Sequence, residues 1–122
     1  MRDISSCEFF SAGAQQHTRI LAVGSPEEWS RERPESRLSL NVSFVAFYEI
    51  NAALLDTLRP EAVISPALAR DFDCIELACL LHSLDFHGVY RATAYDLPNP
   101  QVIENEISEL CPGLDFRIIT ER

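Results

Sequence analysis

Four polar residues of this chain, Ser25, Ser65, Thr93 and Asp96, are candidates for binding chemistry, because each lies near the carboxyl end of a short, mostly apolar run or just after it. Such runs are typical of buried parallel strands, and open α/β sheets bind ligands in the crevice outside the carboxyl ends of their strands. A phosphate-binding crevice is not predicted, since Gly24 stands alone and neither GxGxxG nor GxxxxGK(S/T) occurs. The four residues therefore predict a small-ligand site, in a binding protein or in an enzyme.

Cysteine and histidine residues suggest a metal site, but their spacing does not support one. Cys79 and His82 share a helical face at i, i+3, whereas Cys74 points elsewhere and His87 lies beyond the predicted helix. Nucleophilic catalysis finds no support either, because Ser65 is not part of a G-x-S-x-G turn. We therefore predict no metal, no cofactor and no catalytic residue. The residues favour a non-enzymatic protein over an enzyme.

Alternating strand and helix patterns position these residues. Ser25 with Glu28 and Asp73 with Glu76 have the spacing of capping boxes, which mark helix starts. Predicted strands cover Arg19–Val23, Leu40–Tyr48, Ala62–Ile64, Val89–Tyr95 and Phe116–Ile119, and predicted helices begin after Ser25 and cover Asn51–Leu58, Asp73–Leu84 and Pro100–Leu110. This alternation predicts an α/β fold with a parallel sheet of order 2-1-3-4-5, joined by right-handed crossovers.

Length and composition indicate one domain. The 122 residues are 47% apolar and 24% charged, which is ordinary for a globular protein. Residues 1–18 show no hydrophobic periodicity and are predicted to be a tail or docking arm. Residues 19–122 are predicted to form the α/β domain. The four cysteines have irregular spacing without a secretory signal, so we expect reduced thiols and a cytoplasmic location.

The charge balance bears on partners. A formal net charge of −9 repels nucleic acid and anionic lipid surfaces, and no apolar run approaches the roughly 20 residues of a membrane span. We therefore expect a protein partner, with no nucleic acid and no membrane.

The order of elements and three short strings resemble the receiver domain of bacterial response regulators, which has a flavodoxin-like fold of five parallel strands. The strings are Ile20–Ser25, Leu58–Pro66 and Thr93-Ala94, and the resemblance covers Arg19 to Arg122. It implies a three-layer sheet structure in which the family's final helix is missing, because the chain printed here stops after its fifth predicted strand.

The resemblance also implies which positions would hold the metal-binding, phosphoacceptor and lysine residues of a receiver domain. The residues at most of these positions differ from those of the family. Gly24-Ser25 stand where receivers have two acidic metal-binding residues, Pro66 stands at the phosphoacceptor Asp, and Thr120-Glu121 replace the lysine near the last strand. Of that set, Thr93 alone is retained. The expected function is an inactive, pseudo-receiver module for protein–protein interaction or signalling, and the alternative is a small-ligand-binding protein or enzyme that uses the strand-end crevice.

One face of the predicted sheet lacks most of its cover, because the helix predicted after Ser25 is short and weak and the printed chain stops after its fifth predicted strand. The strands Ile20–Val23 and Ala62–Ile64 are apolar on both sides, and an exposed apolar face of that size is unfavourable for a monomer. We expect the tail, a second copy in a homodimer or a different protein to cover it. The large apolar residues predicted for this interface are Phe9, Phe10 and Trp29.

Overall fold

The computed structural model describes residues 19–25 and 41–121, which form a five-stranded sheet with every strand pair parallel. The strand order is 2-1-3-4-5. The strands are β1 Arg19–Val23, β2 Asn41–Val45, β3 Ala62–Pro66, β4 Val89–Tyr95 and β5 Asp115–Glu121, and the helices are α1 Ala52–Leu58, α2 Cys74–Ser83 and α3 Pro100–Leu110. The predicted α/β class and strand order are confirmed.

The second strand ends earlier than its composition predicts. After β2, Phe47–Glu49 form a single 3₁₀ turn. The Glu49 carboxylate accepts the backbone N–H of Ala46 at 2.7 Å, and this local bond competes with continued strand pairing. The aromatic residues of this segment therefore belong to a turn at the carboxyl edge of the sheet.

Helix starts follow the capping signals. Asn51 Oδ1 accepts the Leu54 N–H at 2.8 Å, and Asp73 and Glu76 form a reciprocal capping box with bonds of 2.9 and 3.1 Å. Helix α3 begins at Pro100 as predicted, although the side chain of Asn99 makes no capping bond. The helix predicted after Ser25 lies outside the described residues, as do Phe9, Phe10 and Trp29.

The three helices pack on one face of the sheet. Right-handed crossovers from β2 to β3, β3 to β4 and β4 to β5 all place their helices on the same side. The buried cluster of described residues accordingly joins alternate strand residues to inward helix residues; its larger members are Leu21, Val63, Tyr90, Phe116, Leu77, Leu81 and Ile107. None of the described helices is long and apolar enough to span a membrane.

The opposite face of the sheet carries a second set of apolar residues. Ala22 is buried, Ile20 and Ile64 are half-buried, and the side chains of Phe44 and Ile119 are 52% and 45% exposed. These residues alternate along the strands with the members of the core cluster, so they point away from the three helices. A covering partner for this face, whether tail, second copy or other protein, stays a prediction.

The outer edge of β5 is protected by a side chain from the preceding helix. Glu104 of α3 accepts the backbone N–H of Ile118 at 2.9 Å, on the side of β5 that no described strand pairs. Unpaired strand edges invite pairing with other chains, and a charged side chain placed on the edge discourages it. This bond also ties α3 to the strand that follows it.

We expect Glu104→Ala to lower the free energy of unfolding by about 1 to 2 kcal/mol, because it leaves a half-buried N–H without its charged acceptor. Glu106→Ala on the same helix is the matched control: Glu106 is exposed, and its loss should change stability by about 0.5 kcal/mol or less. Urea unfolding followed by circular dichroism measures both. Equal losses in the two variants would contradict the edge role of Glu104.

Candidate functional site

The carboxyl edge of the sheet is where the predicted site residues fall. The strand order reverses at β1, which lies between β2 and β3, and open α/β sheets bind ligands at this switch point. Gly24 and Ser25 follow β1, and Pro66 ends β3. Pro66 pairs with Thr93 of β4 in the register of the sheet, so the two residues are adjacent at about 4.8 Å strand spacing.

Gly24 adopts a backbone conformation that favours glycine. Its φ is +140°, the residue is buried, and its N–H donates to the Val45 carbonyl at 3.0 Å. A residue with a side chain would be strained there. The glycine is therefore required by the turn that leaves β1.

Ser65 is placed differently from the other predicted ligand-binding residues. It is fully buried, and its side chain points toward the helix-covered core. Its hydroxyl donates to the Pro66 carbonyl at 2.8 Å and lies 2.6 Å from the hydroxyl of Tyr90. A serine hydroxyl has one hydrogen, so Tyr90 is the donor in the second bond. The Ser65 hydroxyl is thus hydrogen-bonded to Tyr90 and Pro66 within the core and is not accessible to a ligand at the carboxyl edge.

Thr93 and Asp96 lie on the accessible side of this edge. Thr93 is half-buried and, by strand alternation, faces away from Ser65. Asp96 is exposed directly after β4 with φ of +52°, and Ser25 is half-buried after β1. The structure thus groups Thr93 with Pro66 at one strand pair and separates Ser65 from them. Ligand binding by Ser25, Thr93 and Asp96 stays a prediction.

Two loops at this edge are joined by an aromatic stack that the sequence patterns did not predict. The rings of Phe47 and Phe72 are 5.0 Å apart and nearly parallel, at 10°. Phe47 follows β2, and Phe72 precedes the Asp73 cap of α2. A hydrophobic residue just before a capping box often packs under the helix, and this signal could have identified Phe72. The stack fixes the two loops beside the switch point.

The β3–α2 loop is itself compact. The Ala69 N–H donates to the Phe72 carbonyl and the Cys74 N–H to the Ala67 carbonyl, both at 2.9 Å. The Ala67 N–H reaches across to the Thr93 carbonyl at 2.7 Å, extending the β3–β4 pairing beyond the strand. These bonds project Leu68 outward, where it is 79% exposed.

Exposed apolar side chains follow or end three strands at the carboxyl edge of the sheet. Tyr48 after β2 is 82% exposed, and Tyr95 at the end of β4 is 54% exposed. Together with Leu68 they define what we call the carboxyl-edge rim. Asp71 and Asp96 are exposed on the same loops, as is Arg70, so the rim combines apolar surface with two acidic side chains and one basic side chain.

Two buried titratable groups near this edge, Cys74 and Tyr90, are protonated at neutral pH. Burial, followed by the charge of Asp73, raises the pKa of the Cys74 thiol to about 11. Burial also raises the pKa of Tyr90 well above its ordinary value. Neither group supplies a nucleophile or base at pH 7. In residues 19–25 and 41–121, no three His, Cys, Asp or Glu side chains are grouped closely enough to hold a metal ion.

Comparison with known proteins bears on the fold. No family model and no curated protein matches the chain. Solved structures do match: the signal receiver domain of a putative Luxo repressor protein from Vibrio parahaemolyticus has a TM-score of 0.61 at 9% identity, covering 86% of this chain and 78% of that one. The chain therefore shares the fold of a signal receiver domain.

A second solved structure supports the same assignment. The signal receiver domain of an HD domain-containing protein from Pseudomonas fluorescens Pf-5 has a TM-score of 0.59 at 18% identity, with 87% of this chain and 83% of that one covered. The predicted receiver-like fold is confirmed. The identities are low, so they establish the fold alone.

We expect Ser65→Ala to cost about 2 kcal/mol or more, because it leaves the Tyr90 hydroxyl buried without an acceptor, and Tyr90→Phe to cost about 1 kcal/mol, because Ser65 keeps its bond to Pro66. The double variant should be more stable than Ser65→Ala alone. Denaturant unfolding of wild type and all three variants at neutral pH gives the free energies of unfolding, and hence the coupling energy between the two hydroxyls. Additive losses would show that the two hydroxyls are not coupled.

Proposed function

We propose that this receiver-fold chain is an interaction module that binds another protein and does not transfer phosphoryl groups. The observation that carries the proposal is Pro66, which ends β3 beside Thr93. By resemblance to receiver domains, that is the place of the phosphoacceptor aspartate. Proline has no side-chain oxygen to accept a phosphoryl group, and its neighbour Ser65 has its hydroxyl committed to Tyr90 and Pro66 in the core.

The acidic residues that bind the metal in receiver domains are also missing from the positions after β1. Mg²⁺ is held in such sites by carboxylates, and the positions after β1 are Gly24 and Ser25. Because Gly24 has φ of +140°, an acidic residue is disfavoured there by the backbone itself. The lysine that receivers carry near the last strand is absent too: Thr120-Glu121 stand there, and the printed sequence contains ten arginines and no lysine.

The carboxyl-edge rim supports the binding role. Tyr48, Leu68 and Tyr95 are large, exposed and held on three connections at one edge of the sheet. Aromatic and aliphatic anchors of this kind are typical of protein interfaces. Asp71 and Asp96 lie among them, and the whole chain carries a net charge of −9. The partner that fits is a protein segment with basic side chains interspersed among apolar ones.

The similar solved domains are consistent with a signalling role. One belongs to a repressor protein and the other to an HD domain-containing protein, and both are described as signal receiver domains. For this chain, we propose signalling through the rim without phosphorylation.

Incubating the protein with Mg²⁺ and a small phosphodonor should leave its intact mass unchanged, because the nucleophile position holds proline. A receiver domain that has its aspartate serves as the parallel positive control. Pro66→Asp should also stay unmodified, since Gly24 and Ser25 provide no carboxylate for the metal. A phosphorylated wild-type chain would overturn the proposal, and a phosphorylated Pro66→Asp variant would overturn the argument from Gly24 and Ser25.

Binding through the rim predicts a selective loss. In capture experiments from native cell extract, we expect Tyr48→Ser/Leu68→Ser to lose the main protein partner, and added salt to weaken its capture. Val102→Ser/Leu110→Ser is the control, because Val102 and Leu110 are 56% and 50% exposed on α3 and so remove similar apolar surface elsewhere.

Equal capture by both double variants would contradict the rim assignment. A panel of nucleotides and metabolites tested by thermal shift addresses the alternative. A ligand that raises the melting temperature of wild type, but not of Thr93→Ala, would favour the small-ligand function over protein binding.

A further inference from the structure

Two cysteines that are 32 residues apart in sequence meet between α2 and the end of α3. The sulfurs of Cys79 and Cys111 are 3.9 Å apart, with the Cys111 thiol donating to Cys79. Cys79 lies on α2, and Cys111 is the residue that ends α3. A disulfide needs the sulfurs at about 2.05 Å, so the two sulfurs must move closer together before a bond forms.

The backbones on both sides of this pair are held in place. Cys79 is within the hydrogen-bonded body of α2. The Cys111 N–H donates to the Ile107 carbonyl at 2.8 Å, and the Cys111 carbonyl accepts the Leu114 N–H at 3.1 Å. One turn along α2, the His82 ring donates through Nε2 to the Pro112 carbonyl at 3.2 Å. The Cys79–Cys111 and His82–Pro112 contacts therefore both hold α2 against the end of α3, with the two sulfurs facing each other.

The two thiols differ in accessibility. Cys79 is exposed, whereas Cys111 is 1% exposed. Burial, together with the contact to Cys79, raises the pKa of Cys111 to about 11, so this thiol is protonated at neutral pH. Cys74, the third cysteine in the described residues, is also buried. An oxidant dissolved in water therefore reaches Cys79 first.

We propose that Cys79 and Cys111 form an oxidation site, in which a hydroperoxide oxidises Cys79 and Cys111 then closes a disulfide that joins α2 to the end of α3. The pair is built from an exposed thiol and a buried neighbour, which is the arrangement of an oxidised cysteine and a resolving cysteine. The inference is independent of the proposed function, because neither residue lies at the carboxyl-edge rim.

The reaction balances in two steps. The Cys79 sulfur attacks the terminal oxygen of the hydroperoxide, the O–O bond breaks, and the departing oxygen takes a proton and leaves as an alcohol, or as water from hydrogen peroxide. The sulfenic acid formed on Cys79 is then attacked by the Cys111 sulfur. The S–O bond breaks, and hydroxide leaves with the Cys111 proton as water. The two thiols lose two electrons, and the hydroperoxide gains them.

The cross-link would restrict a defined part of the fold. It closes a loop that contains β4, α3 and the turns at their ends. Closing a loop of this length restricts the unfolded chain and stabilises the folded one. Oxidation would thus fix the mutual position of α2 and α3 without touching the sheet's carboxyl edge.

The test treats the purified full-length chain with hydrogen peroxide near stoichiometric amounts, blocks remaining thiols by alkylation, and maps peptides by mass spectrometry without reduction. Cleavage at Glu76 and Arg91 separates the peptides of Cys74, Cys79 and Cys111. We expect the intact mass to fall by two hydrogen atoms, with one cross-linked peptide pair containing Cys79 and Cys111. The melting temperature should rise by several degrees and return on reduction.

Three variants make the result decisive. Cys111→Ser should stop at a sulfenic acid on Cys79 that a dimedone-type reagent traps, whereas Cys74→Ser should form the same cross-link as wild type. Cys7→Ser, which alters a residue outside the described part of the chain, should also form it. A cross-link that needs Cys7 or Cys74, or a Cys79 no more rapidly oxidised than Cys74, would overturn the proposal.

Discussion

The handedness of the strand crossovers is the constraint on which the rest of this molecule depends. Two neighbouring parallel strands must be joined by a segment that crosses over the sheet. A right-handed crossover fixes which face of the sheet receives the connecting helix. With the order 2-1-3-4-5, the helices α1, α2 and α3 all fall on one face. The core forms there around the fully buried Tyr90 and Leu77, while alternate strand residues such as Phe44 and Ile119 face the other way.

Strand alternation then divides the carboxyl edge into two environments. Ser65 turns into the helix-covered core, where it links Tyr90 to the Pro66 carbonyl. Pro66 and Thr93, one position further along their strands, turn the other way and lie side by side. In the proposed correspondence with receiver domains, Pro66 stands at the phosphoacceptor position. The hydroxyl of the preceding residue, Ser65, is already bonded to Tyr90 and to the Pro66 carbonyl. The edge presents apolar side chains, the carboxylates of Asp71 and Asp96 and the guanidinium of Arg70, and this mixture suits recognition of a protein surface.

Much of this could be predicted from sequence, and the failures have physical causes. The bounds of β4 and α3 were correct because Gly88, Pro98 and Pro100 punctuate them clearly. The end of β2 was wrong because one side-chain bond, from Glu49 to Ala46, outweighs the strand pattern. Ser65 follows a run of three apolar residues, too short to show which face it would take. The Phe47–Phe72 stack and the Cys79–Cys111 contact join residues distant in sequence. A local pattern can mark one member, as the capping box marks Phe72, but it does not identify the partner.

We propose that the carboxyl edge lacks the metal-dependent chemistry of receiver domains and binds a protein instead. Amide NMR spectra recorded during a Mg²⁺ titration test it most directly, since the metal must bind before any phosphoryl group is transferred there. The account predicts that the amide signals of Ala67 and Thr93, at the ends of β3 and β4, stay unchanged through millimolar Mg²⁺. Saturable shifts of both signals at those concentrations would contradict it.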